Sequence, residues 1–185
     1  MLSVQEGTIV SSGSMLVVIC LAIGAVAGEI LNIEGGFERF GQWLKIKSGN
    51  ARDKDFVNAF VTASLTVCIG TMAIVGSIED GLTGDYSVLA TKAILDLILI
   101  MVMSCSMGKG AVFSAIPVAV FQGTITALAG LLRPVMTAAA LANLSLVENV
   151  LIFCVGINLV LGKKVKVANL LPAIVAAVIA AFLPI

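Results

Sequence analysis

Three consecutive stretches decide what kind of protein this is: FVNAFVTASLTVCIGTMAIVGSI (Phe56–Ile78), EDGLTGDYS (Glu79–Ser87) and VLATKAILD (Val88–Asp96). The first is an uncharged apolar run of about the ~20 residues that a helix needs to cross the hydrocarbon of a bilayer. The second predicts a short acidic turn built on Gly81 and Gly84. The third opens another apolar run, but with Lys92 and Asp96 inside it. Ionisable groups at that depth are costly and point to function by default. Four residues apart, these two lie on one face of a helix, where they can pair. Two readings follow: a self-neutralised pair that pins packing, or an ion or proton site.

Composition extends this reading to the whole chain. Of 185 residues, 59% are hydrophobic and 12% charged, and the mean hydropathy is +1.13. Soluble domains have roughly 45–50% apolar and about 25% charged residues. An all-α integral membrane protein is therefore expected, a single membrane domain over residues 1–185. The 11 basic and 11 acidic residues cancel, so nothing favours nucleic acid. There is no histidine, which removes the commonest general base and metal ligand and argues against an enzyme. Cys20, Cys68, Cys105 and Cys154 each lie in an apolar run without CxxC spacing, so they read as packing residues, and no metal site is expected. No GxxxxGK[ST] nucleotide loop is present, so any pumping would draw on a gradient, and no cofactor is implied.

Outward from the deciding stretch, six spans are predicted. The first runs from about Ser14 to Ile33, where the N-terminus lacks the basic region of a cleaved signal. Its Gly24 and Gly28 form a GxxxG pair, which serves either a homo-oligomer contact or packing within the chain. Glu29 beside them is either a buried site carboxylate or an interfacial group. Residues of about 36–47 predict an interfacial helix, with Phe37, Phe40, Trp43 and Leu44 on one side and Glu38, Gln42 and Lys45 on the other. Span two is Phe56–Ile78, carrying Asn58, and span three about Leu89–Met107. Span four, about Ala111–Leu132, contains Pro117, which predicts a kink, followed by Gln122. Span five, about Leu146–Leu161, carries Glu148 and Asn158 and is approached by a helical Met136–Ser145. Span six is about Val167–Ile185. The candidate substrate- or ion-binding residues are Asn58, Lys92, Asp96, Gln122, Glu148 and Asn158. No catalytic residues are nominated.

Basic residues concentrate after spans one, three and five, whereas the other loops hold only Arg133. The positive-inside rule then places both termini and the acidic turn outside. Two apolar stretches also look alike. Leu65, Cys68, Gly70 and Gly76 are matched by Leu151, Cys154, Gly156 and Gly162 at the same spacing. If they are copies, residues 13–107 and 111–185 form a 3+3 inverted repeat, the plan of many secondary transporters, with the site near the midplane. On that reading span two faces span five.

The string ASLTVCIGTMAIVGSIEDGLTGDYSVLATKAILD (Ala63–Asp96) resembles a bacterial inner-membrane family, the YqgA-like proteins with domain of unknown function 554. So do GEILNIEGGFERFGQWLK (Gly28–Lys45), FSAIPVAVFQG (Phe113–Gly123) and KVANLLPA (Lys166–Ala173). The resemblance implies a multi-pass inner-membrane protein of transporter type. It also implies that members carry a further N-terminal region ahead of a GTIV-like start, here Gly7–Val10. Two functions are weighed. One is a secondary transporter or permease for a small solute or ion in the lipid bilayer, with Asp96 or Glu148 coupling protons. The other is a non-transporting scaffold or modulatory subunit.

Overall fold

A computed structural model describes Leu2–Gln5, Thr8–Ser11 and Ser14–Phe182. Gly7 of the GTIV string and the expected end of span six at 183–185 lie outside these residues. Strands β1 (Leu2–Gln5) and β2 (Thr8–Ser11) pair antiparallel. Helices make up the rest: α1 (Ser14–Leu31), α2 (Ile33–Lys47), α3 (Phe56–Cys68), α4 (Thr71–Thr83) and α5 (Ser87–Met107). A 3-10 turn (Lys109–Ser114) leads into α6 (Ala115–Ala127), followed by α7 (Ala129–Leu132) and α8 (Ala138–Leu161). A second 3-10 turn (Val167–Leu170) leads into α9 (Pro172–Ala180).

Three of these helices are long and apolar enough to cross a membrane: α5, Lys109–Ala127 and α8. The bent pairs α1–α2 and α3–α4 raise the number to as many as five. Val167–Ala180 is a shorter apolar stretch, so the described helices provide three to five candidate spans rather than six. The outward faces differ from those of a water-soluble fold. On α5, Lys92 is only 6% exposed while Ile94, Leu97 and Val102 are 62%, 60% and 62% exposed. Exposed large aliphatics continue on α1, α6, α8 and α9. Water would penalise such contiguous apolar faces, and hydrocarbon accepts them.

At the centre, α3 packs on α8 through Phe60, Val61, Leu65 and Ile69 against Val147, Leu151 and Val155. Helices α1 and α9 cover one side of this pair, and α5 and α6 pack on α3 and α4. Small residues set the close approaches. A Cβ on Gly28 would lie 1.8 Å from the Asn169 carbonyl oxygen, and one on Gly24 would lie 2.5 Å from Ala173. The GxxxG pair therefore packs within the chain, the second of its two readings.

Three local expectations are corrected. Pro117 is not in the middle of an α-helix: it is the third residue of α6, next to the junction with the 3-10 turn, where its missing N–H removes no bond of α6 itself. The acidic turn shrinks, since α4 continues through Glu79 and Asp80 to Thr83 and ends at Gly84 in the left-handed region (φ 73°). Gly81 is needed for packing: its Cβ would sit 2.3 Å from the Thr126 carbonyl oxygen. Finally, α2 is a separate helix as expected, bent 49° from α1, but its aromatic side is split. Leu44 faces inward, while Trp43 (55% exposed) stacks on Phe40 outside.

Candidate functional site

The stretch expected as span two is broken into two helices. The chain is extended at Ile69 (φ −81°, ψ 109°) and Gly70 (φ 172°, ψ 127°), and the half-helices α3 and α4 meet at 62°. Cut helix ends leave carbonyls at the C-terminus and N–H groups at the N-terminus without partners. Away from water those groups must be met by protein. Here Lys92 Nζ donates to the Val67 carbonyl at 3.0 Å and pairs with Asp96. Across the gap, the Thr71 N–H donates to Glu148 Oε2 at 2.7 Å. A cation thus sits at the negative end of α3 and a carboxylate at the positive end of α4, the signs that the helix dipoles favour. The hydroxyls of Ser64 and Thr66 bond back to the carbonyls of Phe60 and Thr62, so they are satisfied within α3 and do not serve the gap.

A second constellation lies toward the end of the bundle where the basic loops gather. A cavity of about 520 Å³ opens between α2, the start of α3, the end of α8 and the loop beyond it. Glu34, Glu38, Asn58, Thr62, Asn158 and Lys163 supply much of its polar wall, with Gln42, Lys54 and Asp55 completing it. Leu65 and Val155, both nearly fully buried, form its apolar side. Leu65 is one turn of α3, about 6 Å, from Ile69 at the break.

Lys163 is shared by two carboxylates. It lies 2.6 Å from Glu34 Oε1 and also bonds Glu38. Partial burial pulls its pKa down, but the bonds and charges of Glu34 and Glu38 outweigh that and raise it above the ordinary lysine value. Glu34 is 5% exposed, and its other carboxylate oxygen, Oε2, has no hydrogen-bond partner among the described residues. Asn158 holds the loop that carries Lys163. Its Oδ1 accepts from the Lys164 and Val165 N–H groups at 2.8 and 2.9 Å, and its Nδ2 donates to the Val165 carbonyl at 2.7 Å.

The nominated residues thus fall into two groups. Lys92, Asp96 and Glu148 gather at the break, and Asn58 and Asn158 line the cavity. Gln122, half-buried on α6, joins neither. Glu29 is exposed and bonded to Lys166 (2.7 Å) and Asn169 (2.7 Å), so it is not a buried site carboxylate. Sequence reasoning passed over Glu34 and Asn169. Asn169, 3% exposed, also accepts the Glu34 N–H at 2.8 Å and so helps cap α2. A lone amide just ahead of Pro172 in an apolar run was its one signal. Glu34 gave none, because it adjoins the segment read as an interfacial helix, where a carboxylate is ordinary. Among the described residues no cluster of three or more metal-ligating side chains occurs.

Outward apolar faces around a helix pair broken at two counter-charged ends define the class: a multi-helix membrane protein with a broken helix pair at its centre. Residues 2–182 match the family described as "Protein of unknown function (DUF554)", and the chain belongs to that family. It is 31% identical over 160 residues to the "Uncharacterized membrane protein YdfK" of Bacillus subtilis, covering 86% of this chain and 67% of that protein. It is 29% identical over 164 residues to the "Uncharacterized protein YqgA" of Escherichia coli, covering 86% of this chain and 70% of that one. No solved structure matches.

Proposed function

We propose that the protein is a secondary transporter or permease for a small solute in a bacterial inner membrane, with its gate at the α3–α4 break. One observation carries the reading: both cut ends of a central span are held by charges from two other helices, Lys92 of α5 and Glu148 of α8. Discontinuous helices with their termini at the midplane are a recurrent way to build a transport site. The cavity then serves as a vestibule that stops about one turn short of the break. It opens at the end of the bundle where the basic loops gather, the cytoplasmic side by the positive-inside rule, which puts both termini outside. Six crossings in a 3+3 inverted arrangement fit this plan, α9 being the sixth and the packed pair α3–α4 and α8 its centre. Glu148 can exchange a proton as it makes and releases the Thr71 N–H, and Asp96 can do so as it holds and frees Lys92.

The test is uptake into proteoliposomes from a panel of labelled solutes, with and without a pH gradient. Saturable flux that loses its response to the gradient in Asp96→Asn or Glu148→Gln protein is expected. Flux that both variants leave unchanged removes the coupling proposal. No flux for any solute, together with one stoichiometric co-purifying partner, favours a scaffold or modulatory subunit instead.

A further inference from the structure

The charges of the cavity say what it binds. Glu34, Glu38 and Asp55 face Lys54 and Lys163 in its wall, one negative charge in excess. The excess centres on α2, where Glu34 and Glu38, one helical turn apart, share the single ammonium of Lys163. Glu34 is only 5% exposed, and one of its carboxylate oxygens has no partner among the described residues. A buried carboxylate normally has its acceptor sites filled. Oε2 itself is shut off from the cavity, so an incoming donor meets Glu34 through Oε1, where the Lys163 ammonium now sits. The volume of about 520 Å³ suits a small organic molecule.

We propose that this cavity binds a small organic cation bearing an ammonium group, held by Glu34 and Glu38, with Lys163 as the internal stand-in that it displaces. The ammonium of Lys163 marks where the ligand's nitrogen goes. Lys163 itself is partly exposed and follows Gly162, which is in the left-handed region (φ 74°) at the end of α8. Its side chain can therefore swing toward solvent while Asn158 keeps the loop backbone in place. The amide and hydroxyl groups of Asn58 and Thr62 face the remainder of the ligand, and Leu65 and Val155 take its alkyl part. An anion would meet three carboxylates and is disfavoured. The proposal names the substrate class for the transporter read above and rests on that reading only in its link to flux.

The test is equilibrium binding to the full chain in lipid nanodiscs, using 1,4-diaminobutane and n-butylamine against n-butanol and butyrate as size-matched controls. Saturable binding of an amine, and of neither control, is expected. Glu34→Gln should weaken it tenfold or more. Lys163→Met should tighten it several-fold, because the internal competitor is gone. A merely structural ion pair would not give opposite signs for its two halves. No saturable amine binding to wild-type or Lys163→Met protein, binding indifferent to Glu34→Gln, or preference for butyrate would each overturn the proposal. Should Glu34→Gln fail to fold, Glu38→Gln carries the same expectation. Amine binding without amine flux would leave the cation site standing and remove the transporter reading. Flux of a non-amine that depends on Glu148, without amine binding, would do the reverse.

Discussion

Leu65–Gly76 and Leu151–Gly162 carry Leu, Cys and two glycines at the same spacing, yet the first is cut at Ile69–Gly70 and the second runs unbroken through the 24-residue α8. The glycines alone do not account for the difference. Gly70 adopts an ordinary extended conformation, and Gly156 has open space where a Cβ would go. The neighbours differ. Lys92 reaches the Val67 carbonyl and Glu148 reaches the Thr71 N–H. No such pair of charges flanks Val155–Gly156 among the described residues, and a cut there would leave backbone groups bare in hydrocarbon, at several kcal/mol each. The continuous helix supplies the carboxylate that lets its counterpart break. If the two stretches descend from one repeat, the copies have diverged in shape around this exchange.

The comparison is broken or sharpened most strongly at Lys92. Lys92→Met leaves Asp96 without its partner and the Val67 carbonyl unmet, and should cost about 3–5 kcal/mol, read as loss of unfolding free energy in detergent. Adding Asp96→Asn should restore part of it. A single variant as stable as wild type would mean that the end of α3 needs no cation.

Next in size is Glu148. Glu148→Ala strands the Thr71 N–H and should cost about 1–3 kcal/mol. Glu148→Gln, which keeps an acceptor, should lose distinctly less. Equal losses would show that the cap on α4 is not made.

Smaller again is the glycine pair. Gly156→Ala lies inside a helix with room for the methyl, and should stabilise by about 0.5–1 kcal/mol. Gly70→Ala has room too, its nearest neighbour being Glu148 Oε1 at 3.8 Å. It should give no such gain, because Gly70 is not helical. Equal gains would place a continuous helix across both positions.

The smallest effect concerns pH and salt. Lys163 has a raised pKa in the fold, so its ion pairs contribute fully below the ordinary lysine value of 10.5 and fade as pH climbs through the raised value. Hydrogen-exchange protection in the loop 162–166, taken relative to the intrinsic rate at each pH, should fall under alkali or high salt, whereas that of the buried contacts at the break should respond much less. A parallel fall at both places would erase the distinction between an exposed and a buried charge cluster.

Some of the site was legible because a charge inside an apolar run stands out against its neighbours. Lys92, Asp96 and Glu148 were found that way, and all three meet at the break. Glu34 was missed because it lies among glycines and charges in a segment that reads as interfacial, where a carboxylate looks ordinary. Gly81 misled for a related reason: a glycine followed by Gly84 in an acidic string reads as a turn, yet its bare Cα fits the backbone at Thr126. Pro117 misled because its effect depends on its position within the helix, and the 3-10 turn before it moved the helix start to Ala115.

What the sequence determined by itself was the solvent and the secondary structure that this solvent demands. Long apolar runs with few charges require hydrocarbon around them, and hydrocarbon requires helices, whose backbone bonds are satisfied locally. What the tertiary structure alone decided was where a helix could stop being one. That depends on a donor or acceptor arriving from a distant residue, Lys92 25 positions and Glu148 77 positions away from the backbone groups they meet. Local propensity carries no record of such a meeting.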